Sequence, residues 1–351
     1  MSFERIAPEQ HDTLEGVPEP AENPVLVGHA QAARMLAGAY RSGKLPHALI
    51  FAGPVGIGKA TLAFHLTHHL LKYPDPSTAP ESLAAPDPAS SLFRQIASGA
   101  HPSVLHLTRP YDDRAKRFKT VLAVDEIRKV GQFLSLTSAD GGYRVVIVDA
   151  ADDMNTNAAN ALLKNLEEPP KRTLFILVVH APGRLLPTIR SRCQTIRLSP
   201  LRASELFQVL DGGDPPPPDD PSARAVLAQR AGGSARTAIL LTQYGGLEIT
   251  EALDRLVTAS NRNIADYHRL AEAVAGRDRA IPFEIFNQRA LDLLADAAAE
   301  AARSGNLARA KKLSDAWQEA LETISLTEFY NLDKKQHALT MIERLNSALR
   351  M

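Results

Sequence analysis

Five short β-type runs punctuate the first two hundred positions, at residues 47–52, 103–108, 144–149, 173–179 and 194–198. Leu49-Ile-Phe-Ala52 and Val145-Val-Ile-Val148 lack the in-and-out alternation of a half-exposed sheet. Strands buried on both faces read this way, so the pattern predicts a parallel sheet covered by helices. Helical patterns or long loops separate the runs, which is an α/β layout. One of these helices carries Ala158, Ala159, Leu162, Leu163 and Leu166 on its apolar face and stops at Pro169 and Pro170. From about residue 249 the β-type runs vanish. Apolar residues then recur at three and four, as in Leu313, Trp317, Leu321 and Ile324, and in Ala338, Ile342, Leu345 and Leu349. That period predicts a separate all-helical domain.

Irregular stretches mark the borders. Residues 1–24 hold six carboxylates against one arginine, with several prolines, and are expected to form a loose, flexible arm. Residues 74–91 are rich in Pro, Ala and Ser and read as a surface loop. The run Asp211-Gly-Gly-Asp-Pro-Pro-Pro-Pro-Asp-Asp-Pro-Ser222 reads as a stiff polar connector at 211–222.

The first strand runs into Gly53-Pro-Val-Gly56-Ile-Gly58-Lys59-Ala60-Thr61, followed by a helical pattern. Strand, glycine loop and helix in this order form a phosphate cradle. Glycines let backbone N–H groups turn toward phosphate oxygens, the helix start adds its dipole, and Lys59 balances the charge of the β and γ phosphates. A P-loop fold is therefore expected. The motif calls for Ser or Thr directly after the lysine, to hold Mg²⁺, yet Ala60 stands there. Thr61 does not simply substitute, because one step along a helix rotates a side chain by about 100°. Asp149 ends the third strand, where such proteins place a metal-organising acid. The next position, where a hydrolytic P-loop protein with an added central strand carries the glutamate that orients water, is Ala150. Asp152 and Asp153 are read as caps of the following helix. General bases contribute about 10²–10⁴ in rate, so the site is expected to hydrolyse ATP slowly or not at all in isolation.

Composition narrows the class. A chain of 351 residues suggests two or three domains. Forty basic and forty acidic side chains leave no net charge, so nothing global draws it to nucleic acid or an anionic membrane. The lone Cys193 excludes an internal disulfide framework and a Cys-rich zinc module. With no basic, apolar leader in MSFERIAPEQ and no apolar run near the roughly 20 residues of a membrane span, a cytoplasmic protein is expected. His65, His68 and His69 share a helix without an accompanying carboxylate and are read as packed or solvated flank. Cys193 has no histidine partner, and the stripe around Trp317 reads as bundle core. Arg192, in Ser191-Arg192-Cys193 before the last strand, is by spacing alone a surface or ion-paired arginine.

LVGH near position 28, GPVGIGK, VVIVDAADDMNTNAANALLKNLEEPP, LLPTIRSRC and NLDKKQ together resemble the clamp-loader AAA+ ATPases, most closely their delta-prime branch, over roughly residues 25–345. The resemblance implies three domains: a P-loop sheet domain at 25–200, a small helical lid at 201–248 and a helical collar at 249–351. It implies a DNA polymerase III stator in a hetero-pentamer with motor (gamma/tau) and delta subunits, meeting the sliding clamp and primer-template DNA through the complex and no membrane. Arg192 would then be an arginine finger offered in trans to a neighbour's ATP. Arg236, in Gly233-Ser-Ala-Arg236, resembles the second sensor motif. With Gly53, Gly56, Gly58, Lys59, Thr61 and Asp149 it would line a vestigial ATP or ADP site, with Mg²⁺ left open. His180 stands where a polar sensor is common. Many relatives carry a four-cysteine zinc module where this chain has residues 74–91, so zinc is not expected. Two rival readings stay open: a competent motor using Lys59, Asp149 and Thr61, and a P-loop assembly factor outside replication.

Overall fold

The computed structural model describes residues 4–135, 142–213, 216–259, 263–276 and 279–350. Two of the residues of the expected connector, 214 and 215, lie outside them. The chain divides into two compact units, residues 1–236 and 237–351. The stretch expected as a lid, 201–248, is split by that division.

In the first unit the order is α1 (Ala30–Arg41), β1 (Ala48–Ala52), α2 (Lys59–Lys72), α3 (Ser91–Ala97), β2 (Val104–Leu107), β3 (Tyr111–Asp112), β4 (Arg117–Phe118), α4 (Val124–Ser135), β5 (Arg144–Asp149), α5 (Thr156–Glu167), β6 (Thr173–Val179), α6 (Pro187–Arg190), β7 (Gln194–Arg197), α7 (Ala203–Leu210) and α8 (Pro221–Ala231). Five strands form one sheet in the order β2-β5-β6-β1-β7, every pair parallel. Ala48 lies beside Phe175 and Val146 beside Phe175 in turn, so the three central strands are in tight register. Side chains alternate between two apolar layers. Leu49, Phe51, Val145, Ile147, Leu174 and Ile176 meet α1 and α2 residues such as Leu36, Leu62 and Leu66. Ile50, Val146, Val148, Phe175 and Leu177 meet Leu162, Leu166 and Ile189 on the other face. The unalternated strand sequences follow directly from this double burial. The short antiparallel pair β3–β4, where Tyr111 and Phe118 meet edge to face at 5.2 Å, carried no sequence signal.

The N-terminal arm is not loose. Arg5 donates to Glu19 Oε1 at 2.8 Å and to the carbonyls of Leu14 and Val17 at 2.8 and 3.1 Å. Glu22, 5% exposed, accepts from the amides of Ile6 and Ala7 at 2.7 and 2.9 Å. Ala7, Leu14 and Ala21 are buried. Its acidic composition suggested solvation, but two of the carboxylates are consumed in folding the segment on itself.

Across the division runs α9 (Ala235–Gln243); the second unit then holds α10 (Gly246–Thr258), α11 (Ile264–Val274), α12 (Ala280–Arg303), α13 (Leu307–Tyr330) and α14 (Lys334–Leu349). Its core contains Leu253, Ala271, Phe286, Leu294, Leu313, Ile342 and Leu345, with Trp317 packed against it as its helical spacing suggested. A polar chain crosses this core: His337 lies 2.9 Å from Thr327 Oγ1 through Nδ1 and 2.9 Å from Asn287 Oδ1 through Nε2.

Truncating Phe175, fully buried in the sheet, to alanine is expected to cost about 3–5 kcal/mol, read as a lower urea midpoint by far-UV circular dichroism. Burial also lowers the pKa of His68, His69, His106 and His337 from 6.5 to about 4. Between these values the unfolded chain binds more protons than the folded one, so stability is full above about pH 6.5 and falls toward pH 4. The raised pKa of Asp149 works the other way and is outnumbered. The urea midpoint at pH 5 is expected below that at pH 7.5; equal midpoints would contradict neutral burial of these rings.

Candidate functional site

At the carboxyl edge of the sheet β1 feeds the glycine loop, and α2 begins at Lys59. Gly56 and Gly58 hold φ of 74° and 94°, angles that side chains avoid. Space adds a second demand. A Cβ on Gly53 would lie 2.5 Å from the Leu198 carbonyl oxygen, and one on Gly56 2.4 Å from Ser234 Oγ and 2.5 Å from Arg236 Cβ. The Gly56 carbonyl accepts from the amide of Ala235 at 2.9 Å. Gly233, with φ of 77°, accepts at its carbonyl from the Leu201 N–H at 2.9 Å and is itself pressed against Pro200. The loop and the Gly233–Arg236 segment, about 180 residues apart in sequence, are thus brought into direct contact.

Lys59 is 3% exposed, and its Nζ donates to the carbonyl of Gly53 at 2.8 Å and to that of Pro54. Burial pulls its pKa down to about 8 against the opposing pull of Asp149 and Asp152. Ala60 packs against the core and offers only a methyl group. Thr61 is buried. Asp149 ends β5 and burial pushes its pKa up to about 7, with Asp12 adding to the rise and Lys59 resisting it.

Asp152 and Asp153 do not cap the next helix. They lie in a 3₁₀ turn, Ala151–Asp153, and Asn155 caps α5 by accepting from the Ala158 amide at 2.9 Å. Asp152, 6% exposed, accepts from the amides of His180 at 3.2 Å and Ala181 at 2.9 Å, tying the end of β6 to the end of β5. Asp153 takes both arms of Arg109, at 2.7 and 2.9 Å. Both acids are therefore engaged in structure rather than poised over water. His180 Nδ1 is buried without a hydrogen-bond partner, and burial with nearby Lys59 lowers its pKa to about 4.

The arm enters the same place. Arg236 Nη1 donates to the Asp12 carbonyl and stands 3.9 Å from Asp12 Oδ2. Thr108 Oγ1 donates to Gln10 Oε1 at 2.5 Å. Nothing in the spacing of Gln10, Asp12, Arg109 and Asp153 marks them as neighbours; only the fold does. The glycine angles suit a phosphate cradle, yet Lys59 is turned onto loop carbonyls, Arg236 onto the arm, and Ala60 and Ala150 supply neither metal ligand nor base. The residues present do not fit a Mg-nucleotide in this arrangement.

Arg192 follows α6 and precedes the edge strand β7. Its Nη2 lies 2.6 Å from Glu167 Oε1, its Nη1 donates to the Thr188 carbonyl at 2.9 Å, and the side chain remains 35% exposed. The sequence reading of a surface, ion-paired arginine holds. Burial pushes the neighbouring Cys193 thiol up to about 11, which makes it inert as a nucleophile. Among the described residues no group of three or more His, Cys, Asp or Glu could hold a metal ion, and no helix is long and apolar enough to cross a membrane.

Residues 28–202 match the protein-family model described as DNA polymerase III, delta subunit. The chain is 37% identical over 203 residues to DNA polymerase III subunit delta' of Pseudomonas aeruginosa, covering 53% of this chain and 58% of that protein. It is 34% identical over 169 residues to the subunit of the same name from Bacillus subtilis, covering 48% and 47%. To DNA polymerase III subunit tau of Escherichia coli it is 29% identical over 219 residues, covering 62% and 32%. The chain spans about half the length of the delta' relatives. The glycine loop, the β5 acid and the Ser191-Arg192-Cys193 triplet all lie inside residues 28–202, the stretch that is similar to the DNA polymerase III, delta subunit family.

Proposed function

We propose that this chain is the delta-prime, non-motor subunit of a DNA polymerase III clamp loader. It helps assemble the ring with motor (gamma/tau) and delta subunits, and it lends Arg192 to the ATP of an adjoining motor during loading of the sliding clamp onto primed DNA. The observation that carries this reading is a division of labour within one domain. The chain's own site lacks the metal-binding hydroxyl at Ala60 and the water-orienting acid at Ala150, while Arg192 is held half-out of the surface by Glu167 and the Thr188 carbonyl. A guanidinium fixed at two points loses less freedom when it meets a phosphate. Charge developing on a neighbour's transferring phosphoryl group is what such an arginine stabilises.

The rival reading, a competent motor, needs Lys59 on a phosphate and Asp149 on Mg²⁺. Here Lys59 bonds the carbonyls of its own loop, and Asp149 is raised to about 7. Any ATP or ADP held by this chain is proposed to serve structure, not turnover.

In a reconstituted loader, Arg192→Ala is expected to slow single-turnover hydrolysis at the adjoining motor site by about 10³-fold or more, with assembly retained on gel filtration. An unchanged rate would overturn the role in trans. Failure of the chain to co-assemble with motor and delta subunits would instead favour an assembly factor outside replication.

A further inference from the structure

The segment Gln10–Thr13 is a turn closed on itself. The Thr13 amide donates to the Gln10 carbonyl at 3.2 Å and the Gln10 amide to Thr13 Oγ1 at 2.7 Å, while Thr13 Oγ1 donates to Glu19 Oε1 at 2.5 Å. Arg5, Glu19 and Glu22 anchor its base, and Gln10 tethers its tip to Thr108, just past the end of β2. The turn therefore has a set position, and that position is the mouth of the glycine-loop site. Asp12 faces Arg236, the arginine beside Gly56, with the carbonyl bonded to its guanidinium and the carboxylate 3.9 Å away. His11 sits near Asp153 and Arg109. Arg236 is left 14% exposed by these contacts. Asp12 also stands near enough to Asp149 to raise its affinity for a proton.

An anionic ligand in a glycine loop needs cations facing it. Here both candidates have acceptors inside the chain: Arg236 has the Asp12 backbone and carboxylate, and Lys59 has the carbonyls of Gly53 and Pro54. The carboxylate of Asp12 adds negative charge where phosphates would come. We propose that the arm turn is a built-in anionic occupant of this chain's nucleotide pocket, a plug that a nucleoside polyphosphate must displace before the glycine loop can hold it. The apparent affinity is then the intrinsic one reduced by the fraction of chains with the arm out. This differs from the missing hydroxyl and acid, which silence turnover without closing the pocket. It does not rest on the role of Arg192, and either idea can fail alone.

The test is binding, not hydrolysis. The full chain and its Gln10→Ala/Thr13→Ala variant are titrated with fluorescent ADP and with ATPγS. These changes remove the tether and the turn closure without adding or removing a charge in the pocket. The variant is expected to bind at least tenfold more tightly than the parent, and Lys59→Ala on the variant background to abolish that gain. Equal binding by parent and variant, or none by either, overturns the plug. A second reading uses the unaltered protein and does not depend on the variant folding: at saturating ATPγS, hydrogen exchange of the amides between residues 10 and 17 is expected to quicken. Saturable binding with those amides equally protected overturns it as well.

Discussion

The carboxyl edge of the sheet depends on two missing side chains. Gly53 must pass the Leu198 carbonyl and Gly56 must pass Ser234 and Arg236 at distances that no Cβ tolerates. These approaches bring the loop after β1, the strand exit after β7 and the Gly233–Arg236 segment to one point. In an open parallel sheet this edge is where ligands bind, and here the same crowding that builds the cradle also delivers Arg236 to it. The glycines are thus more than hinges for phosphate-facing amides; they hold the site's walls together.

Charge in that crowded space is settled by desolvation. Lys59 is pulled toward the neutral amine and Asp149 toward the neutral acid, and each moderates the other. A working Mg-nucleotide site would keep both ionised by supplying phosphate and metal as partners. In this chain internal partners do that work incompletely. Asp152 and Asp153, close in sequence to the position where a base is missing, are drawn off by the amides after β6 and by Arg109.

Much of this was legible without coordinates, and the exceptions have physical causes. The three central strands β1, β5 and β6 were marked by apolar runs, because double burial removes polar alternation, while the edge strands β2 and β7 carried only a weaker β-type signal. The glycine loop was legible because its chemistry demands residue types at fixed offsets. Arg192 was readable as ion-paired, but its partner Glu167 was not, since 25 positions and a strand separate them. The arm was misread for a related reason. Composition scores Glu19 and Glu22 as solvated charge, whereas one arginine and two amides convert them into buried anchors. The β3–β4 pair is two residues per strand, too short to carry a period. The assignment of Asp152 and Asp153 as caps failed because Asn155, two places on, is an equally good cap and sits at the true helix start.

The polar chain through the second unit has its own consequence. Aliphatic contacts among α12, α13 and α14 tolerate sliding, since one methyl group serves nearly as well as the next. Asn287, Thr327 and His337 come one from each of these helices, and their two 2.9 Å bonds do not tolerate it. A slip of one residue along α14 shifts His337 by about 1.5 Å and turns it by about 100°, breaking both at once inside a buried core. The imidazole works as an axial stop, setting three long helices at one height relative to each other, a task that the grease around it leaves undone.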